Sequence, residues 1–327
     1  MELVQRLWVQ RIASGGGFTM SGFADNTPIW EGQGDGKDNK NAILQPGPDN
    51  RWGLFVDGNG VFAQANSGNM LPSYNAQSGG VTTGVTFRVN PVITVGAYTG
   101  YEGTYAKYNG GSTLADNSVR FGVFGTYGKQ DGKGFYGDAA VGGGYNQYQV
   151  SRTIKFSGMN RTANSTPGAG ELDTLLAGGY NIRQGNWTYG PTGSLQYTYL
   201  GVNSFNETGA QSLDLGSGGW NTASLLSSLG AQAAYTWQAT KNLVVVPQIN
   251  LSWQHEFMQN SYTNNSTMGG TTFANLSNAP LRDFLYTGVG VTMEFKQRWF
   301  TSIFYNASAG NSDLTSQNIF WSMGVKF

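Results

Sequence analysis

The sequence predicts an all-β protein, an antiparallel transmembrane β-barrel of about twelve strands. Three observations predict it: apolar and polar residues alternate over strand-length segments, the connections between these segments alternate between short and long, and Gly and aromatic residues are abundant. The alternation is clearest in the last segment, whose apolar face consists of Ile319, Trp321, Met323, Val325 and Phe327. A strand needs this pattern when one face lies in lipid and the other faces a polar lumen.

Strand-like alternation recurs along most of the chain. The segments that show it are 51–65, 74–89, 91–107, 115–129, 134–151, 171–184, 187–202, 222–238, 242–259, 281–296, 298–308 and 316–327. Aromatic residues stand near the ends of several of them, as at Trp187, Tyr199, Trp237 and Trp253, where a membrane barrel has its two interfacial girdles. An even number of strands places the C-terminus on the side of the short connections.

The connections fall into two classes by length. Short ones are predicted at 90–91, 129–133, 184–186, 239–242 and 297–298, and long ones, rich in Asn, Ser, Thr and Gly, at 66–73, 108–114, 152–170, 203–221, 260–280 and 309–315. Outer-membrane barrels have short periplasmic turns and longer extracellular loops. A soluble β-sandwich, which composition alone leaves open, has no reason for this alternation.

Composition argues against several functions. The 327 residues include no Cys, so neither a disulfide framework nor a thiolate metal site is available. The chain has 19 basic residues (Lys and Arg) and 19 acidic residues (Asp and Glu), and this balance argues against nucleic-acid binding. No apolar run reaches the roughly 18 residues of a transmembrane helix. Asp35, Asp38 and Asp49 lack the spacing of an EF-hand, so we expect neither a metal nor a cofactor.

The first 50 residues differ from the rest. Residues 2–14 are strong helix formers with apolar residues at helical spacing, and three glycines at 15–17 end the predicted helix. The residues that follow are rich in Gly, Asp, Asn and Pro and predict an irregular linker. Helix and linker form one expected domain, 1–50, and the barrel forms the other, 51–327. Because no signal-peptide core is present, we expect the natural precursor to continue upstream of Met1.

Seven short pieces of sequence are spread along the predicted barrel. They are RWG at 51–53, VSR at 150–152, FNETGA at 205–210, SLLSSLG at 224–230, WQHEF at 253–257, LRD at 281–283 and the terminal Phe327. In their order and spacing they resemble the C-terminal translocator domain of autotransporters (type V secretion). The resemblance covers about 51–327 and implies a twelve-stranded barrel in the outer membrane of a Gram-negative bacterium, with the predicted helix in its pore.

The resemblance also implies a function. The barrel would be an outer-membrane translocator and anchor that delivers an N-terminal passenger, absent from this chain, to the cell surface. The implied partners are outer-membrane lipid, the passenger and the barrel-assembly machinery, which would read the last strand through Trp321, Met323, Val325 and Phe327. A monomer without enzymatic activity is expected. The alternative is an outer-membrane diffusion channel with an open lumen, in which residues 1–50 form a periplasmic tail.

Charged residues on the predicted lumen face are the candidate site. The alternation of faces selects Arg120, Asp138, Asp173, Arg183, Glu256, Arg282 and Glu294. The pore helix would present Arg6 and Arg11 to them, since a charge in a narrow lumen needs a partner or water. The alternative is that these residues only keep a water-filled lumen polar. Neither role is catalytic.

His255 is the only histidine and the candidate for a membrane hydrolase. It shares a face with Leu251 and Trp253, which are predicted to face lipid. A phospholipase-like site needs a nucleophilic Ser about two residues along the strand, together with an Asn or Asp. That position holds Phe257, so an interfacial His beside the aromatic girdle is favoured over a catalytic one.

Overall fold

The computed structural model describes seven stretches of the chain. They are 51–66, 73–128, 132–258, 263–276, 282–296, 298–310 and 314–327. The predicted helix and linker of residues 1–50, with Arg6 and Arg11, lie outside the described residues. No helix in the described stretches is long and apolar enough to cross a membrane.

Strands make up most of the described chain. In chain order they are Trp52–Ala65 (β1), Tyr74–Asn90 (β2), Ile93–Tyr108 (β3), Thr113–Tyr127 (β4), Gly134–Phe156 (β5), Met159–Ser165 (β6), Gly168–Gln184 (β7), Trp187–Val202 (β8), Phe205–Asn206 (β9), Leu215–Ser217 (β10), Trp220–Tyr235 (β11), Trp237–Thr240 (β12), Leu243–Glu256 (β13), Thr263–Met268 (β14), Thr271–Leu276 (β15), Asp283–Phe295 (β16), Trp299–Ala309 (β17) and Leu314–Lys326 (β18). A 3₁₀ turn, Gln211–Leu213, lies between β9 and β10.

Twelve of these strands close into one antiparallel barrel. Their order is β1-β2-β3-β4-β5-β7-β8-β11-β13-β16-β17-β18, and β18 pairs with β1 from Lys326 opposite Gly53 to Leu314 opposite Ala65. At the seam the Trp52 amide donates to the Phe327 carbonyl oxygen (3.0 Å) and the Phe327 amide donates back (2.9 Å). Closure leaves no barrel strand with an unpaired edge, as membrane hydrocarbon requires. The predicted fold class is confirmed.

The two faces of the barrel differ as predicted. Outward side chains such as Phe121, Leu229 and Ile249 are exposed, whereas their neighbours on the lumen side are buried or partly buried. In a chain whose strands lie in a membrane, the exposed apolar surface is the surface that contacts lipid. The four aromatic residues predicted for the girdles are all exposed on the outward face.

The two ends of the barrel also differ. The short-turn edge, defined here by residues 51, 91–92, 128, 132–133, 185–186, 241–242, 296, 298 and 327, contains the tight connections. The opposite, long-loop edge departs from the prediction. The connections predicted at 108–114 and 309–315 are short, because β3 and β4 are joined by four residues (109–112) and β18 begins at Leu314.

Three of the predicted loops contain strands instead of irregular chain. β5 continues to Phe156 and turns into β6, while β9, β10, β14 and β15 form a separate sheet in the order β15-β14-β10-β9. A bridge between Asn164 and Thr208 joins β6 to this sheet. These polar loops form strands because backbone N–H groups of one loop donate hydrogen bonds to carbonyl oxygens of another loop that is distant in sequence.

An ion pair ties two of these loops together. The Arg152 Nε donates to Glu207 Oε1 (2.9 Å) and its Nη2 donates to Glu207 Oε2 (2.5 Å) and to the Leu213 carbonyl oxygen (2.7 Å). Glu207 Oε2 also accepts from the Leu215 amide (2.9 Å). The carboxylate therefore organises both the neighbouring loop and its own, which explains a charged residue that is buried at the long-loop edge.

Candidate functional site

The lumen wall has three layers. At the long-loop edge the buried inward side chains are mainly apolar, among them Ala65, Tyr74, Tyr108, Leu114, Leu200 and Leu314. Towards the short turns a second apolar layer contains Phe55, Phe124, Ala140 and Leu175. A charged layer lies between the two apolar layers and consists of Asp57, Glu102, Asp116, Arg120, Glu171 and Asp173. The sequence predicted a polar lumen, and the structure adds two apolar layers to it.

Glycine explains how aromatic side chains fit against the lumen wall. A Cβ added at Gly84 would lie 2.3 Å from the Phe55 ring, and one at Gly96 would lie 2.2 Å from the Phe124 ring. Each ring therefore lies directly over a glycine of a neighbouring strand. Part of the high glycine content serves this close approach.

Arg120 is the centre of the charged layer. Its Nη1 lies 3.1 Å from Glu102 Oε2 on β3, and its Nη2 lies 3.5 Å from Glu171 Oε1 on β7. The Asn146 amide on β5 donates to Glu171 Oε2 (2.8 Å). We call Glu102, Arg120, Asn146 and Glu171 the mid-lumen cluster. Charge-assisted hydrogen bonds join Arg120 to Glu102 and Asn146 to Glu171, and the ion pair of Arg120 with Glu171 connects these two pairs, so the cluster spans four neighbouring strands.

The acidic residues predicted for the lumen are all buried, but they are not one site. Asp138 is 4% exposed and lies towards the short turns, Asp173 accepts from the Thr198 hydroxyl (2.8 Å) beside the mid-lumen cluster, and Glu294 lies at the short-turn edge. Glu256 lies at the long-loop edge, where it accepts from the Ser224 hydroxyl and the Leu225 amide. Hydrogen bonds thus hold Asp173 and Glu256 in place.

The predicted basic residues behave differently from one another. Arg120 is paired within the mid-lumen cluster, whereas Arg183 and Arg282 are partly buried near opposite edges. Arg183 has the same strand parity as buried Asn181, and Arg282 has that of Phe284. Their function as pore charges stays a prediction.

Four buried acidic residues of the lumen wall were missed: Asp57, Glu102, Asp116 and Glu171. The alternation of faces could have found Glu102, which lies between the exposed residues Tyr101 and Tyr105 and shares their strand but not their face. Asp57, which accepts from the Ser322 hydroxyl (2.5 Å), was harder to find. The inward face of β1 also carries Phe55, so its two faces look alike in sequence.

His255 lies on the outward face at the long-loop edge. Its Nδ1 is 2.8 Å from Asp283 Oδ1, and its ring contacts the ring of Phe257 (centroids 4.6 Å apart). The sheet places Ser227 directly opposite His255 on the neighbouring strand, a position that a search along one strand misses. The Ser227 hydroxyl donates to the His255 backbone oxygen (3.4 Å), so in this arrangement it is directed to the main chain.

The family model described as "Autotransporter beta-domain" matches residues 54–306. The chain belongs to the autotransporter β-domain family. Membership makes the protein an outer-membrane translocator barrel of a Gram-negative bacterium. No curated protein matches the chain in sequence.

Solved autotransporter structures share the fold. The translocator domain of NalP from Neisseria meningitidis aligns with a TM-score of 0.66 at 14% identity, over 86% of this chain and 90% of that one. The β-domain of the Bordetella autotransporter BrkA gives 0.62 at 14% identity, over 85% and 100%. The transport unit of AIDA-I from Escherichia coli gives 0.57 at 14% identity, over 87% and 93%.

The last strand of this autotransporter barrel presents its apolar side outward. Trp321, Met323 and Phe327 are exposed and Val325 is partly exposed. Among the residues that the structure describes, no group of three or more His, Cys, Asp or Glu side chains is arranged to hold a metal ion.

Proposed function

We propose that this translocator holds residues 2–14 as a helix in its lumen while the passenger N-terminal to them lies outside the cell. The observation that supports this is the acidic character of the lumen wall. Buried carboxylates from β1 to β7 face the lumen, at Asp57, Glu102, Asp116, Asp138, Glu171 and Asp173. Arg120 is the cation that lies among them.

The excess of carboxylates favours a cationic occupant. Charges in a lumen with low-dielectric walls interact more strongly than charges in water, and such a wall attracts a segment of opposite sign. Arg6 and Arg11 are spaced so that a helix would place them about one and a half turns apart. Each guanidinium can donate to two carboxylate oxygens at once.

Cysteine cross-linking tests the position of the segment, because the chain has no natural Cys. Arg11→Cys is combined with Asp57→Cys, Glu102→Cys or Asp138→Cys, which sample three depths of the lumen. The control combines Arg11→Cys with Ala139→Cys, since Ala139 adjoins Asp138 but is exposed on the outward face. We expect a disulfide with at least one lumen position and none with the control. No lumen disulfide, or equal yields at both faces, would refute the proposal.

Surface display tests the direction of transport. A signal peptide and a small reporter are placed upstream of Met1, and intact cells are treated with protease. A reporter that is digested while periplasmic markers survive supports display. A protected reporter with a folded barrel would mean that the N-terminus is periplasmic, as in the diffusion-channel alternative.

Conductance separates the plugged barrel from the open channel. In planar bilayers the full chain should give small or rare pores, and deletion of residues 1–14 should enlarge them. An unchanged conductance after the deletion would contradict the plug and favour the channel.

We also propose that β18 is read by the barrel-assembly machinery, that the barrel is a monomer and that it has no catalytic function. The exposed apolar face of β18, which ends in Phe327, supports the first point. Closure by β1 and β18 supports the second, because no barrel strand offers an edge to another copy. The direction of the Ser227 hydroxyl supports the third.

A further inference from the structure

Basic side chains cluster on one side of the short-turn edge. Arg51, Arg88, Lys241, Lys296, Arg298 and Lys326 stand at the ends of β1, β2, β13, β16, β17 and β18 or in the turns between them. These six strands are consecutive neighbours in the barrel. We call this set the basic arc.

Backbone hydrogen bonds show that the arc is continuous. The Lys296 amide donates to the Asn242 carbonyl oxygen (2.8 Å), the Lys326 amide donates to that of Arg298 (2.9 Å), and the Arg88 amide donates to that of Arg51 (2.8 Å). The backbones of these neighbouring strand ends are therefore adjacent. They span the seam at which β18 meets β1.

The arc lies level with exposed aromatic residues. Trp52, Trp237, Phe295 and Trp299 are exposed on the outward face at the same strand ends. The Lys296 Nζ lies 5.2 Å from the centroid of the Phe295 ring. Aromatic girdles mark the level of lipid headgroups, and a lysine whose stem follows apolar surface places its ammonium there.

At these strand ends of the described chain, exposed cations outnumber exposed acidic residues. In the described part of the chain no exposed Asp or Glu lies at these strand ends, and Glu294, two residues before Lys296, is buried. Of the arc, Arg51, Lys241, Lys296 and Arg298 are therefore exposed cations at headgroup level, whereas Arg88 and Lys326 are partly buried and have the parity of the lumen face.

We propose that the basic arc binds the anionic headgroups of glycerophospholipids in the inner leaflet of the outer membrane. The short-turn edge of an outer-membrane barrel is periplasmic, so the leaflet beside it is the inner one. Each Lys or Arg near an anionic surface strengthens association by about fivefold. The arc would make the lipid shell at the β1–β18 seam richer in anionic lipid than the shell elsewhere.

Lipid selectivity can be measured on the full chain in phosphatidylcholine vesicles. The probes are spin-labelled phosphatidylglycerol and spin-labelled phosphatidylcholine, and electron paramagnetic resonance gives their relative association with the barrel. We expect phosphatidylglycerol to be preferred at low salt, and the preference to fall towards one in 1 M NaCl, where the Debye length is about 3 Å. Absence of a preference, or a preference that salt does not change, would overturn the proposal.

Two matched double variants locate the effect. Lys241→Gln with Lys296→Gln should reduce the preference, by up to about fivefold for each headgroup contact that is lost. Lys107→Gln with Lys155→Gln, which removes two exposed lysines from the long-loop half, should leave it unchanged. Heat-modifiable migration in gels confirms that both variants are folded. If the first variant keeps the wild-type preference, or both lose it equally, the arc does not bind lipid, and an acidic periplasmic protein becomes the candidate. If the first variant does not fold, the salt dependence of the wild-type chain decides.

Discussion

Removal of the Arg120 cation should destabilise the barrel strongly. The side chain is 13% exposed and stands between Glu102 and Glu171, whose side chains are 7% and 1% exposed. Arg120→Met keeps the unbranched stem and much of the volume of the side chain but leaves the two carboxylates without their cation. The structure therefore predicts an electrostatic loss with little change in packing.

The distances give the size of the effect. At an effective dielectric constant of 20, charges separated by 3.1 Å and 3.5 Å attract by about 5 kcal/mol each. The cost of removing three charges from water cancels much of this attraction, and loss of one partner of a buried pair typically costs about 3–5 kcal/mol. We expect Arg120→Met to fall in that range.

Denaturant unfolding in lipid vesicles, followed by tryptophan fluorescence, measures the loss. With a slope of about 2 kcal/mol per molar urea, the midpoint should fall by about 1.5–2.5 M. The rescue variant combines Arg120→Met with Glu102→Gln and Glu171→Gln, and it should unfold within about 1 kcal/mol of the wild-type chain, because neutral groups need no cation. The electrostatic explanation would be refuted if Arg120→Met unfolded at the wild-type urea midpoint. It would also be refuted if the triple variant unfolded at as low a midpoint as Arg120→Met alone.

Two further changes test the final strand and the packing of the lumen. Phe327→Ser should lower the yield of heat-modifiable barrel in cells, whereas Phe257→Ser, an almost equally exposed aromatic at the other edge, should not; equal yields would remove the terminal aromatic from the assembly signal. Gly290→Ala should cost about 1–3 kcal/mol in urea unfolding, because its Cβ would lie 2.1 Å from the Phe304 ring. Gly170→Ala, with no heavy atom within 4 Å of its Cβ, is the control, and equal midpoints for the two alanine variants would contradict the packing argument.

The sequence was sufficient to predict the barrel strands because lipid and lumen impose opposite demands on alternate residues. Predicted segment 187–202 coincides with β8, and 74–89 differs from β2 by one residue. The loop strands could not be predicted in this way. Their pairing depends on contacts such as Asn164 with Thr208, which join separate loops and leave no periodic signal in either one.

The candidate site was predictable only to the level of faces. Alternation assigned Arg120 and Asp138 to the lumen, and both have that parity in the structure. It could not show which charges meet, because this depends on register. Gly100 and Gly144 stand directly opposite Arg120, and its guanidinium extends beyond them to Glu102 and Glu171. Glu102 and Glu171 lie diagonally from Arg120, so they can be identified as its partners only when the register of four neighbouring strands is known.

A buried row of carboxylates would be a costly choice for the core of a soluble protein, since ions in an apolar interior must be paired. In this barrel the lumen is not the main apolar surface. The largest exposed apolar side chains, such as Phe121 and Phe135, face outward, where lipid contacts them, and the closed ladder satisfies the backbone. Folding therefore places fewer demands on the lumen than on the core of a soluble domain. The lumen can therefore retain acidic residues that interact with a chain segment inside it. The negative charge of these residues favours a cationic segment as the occupant.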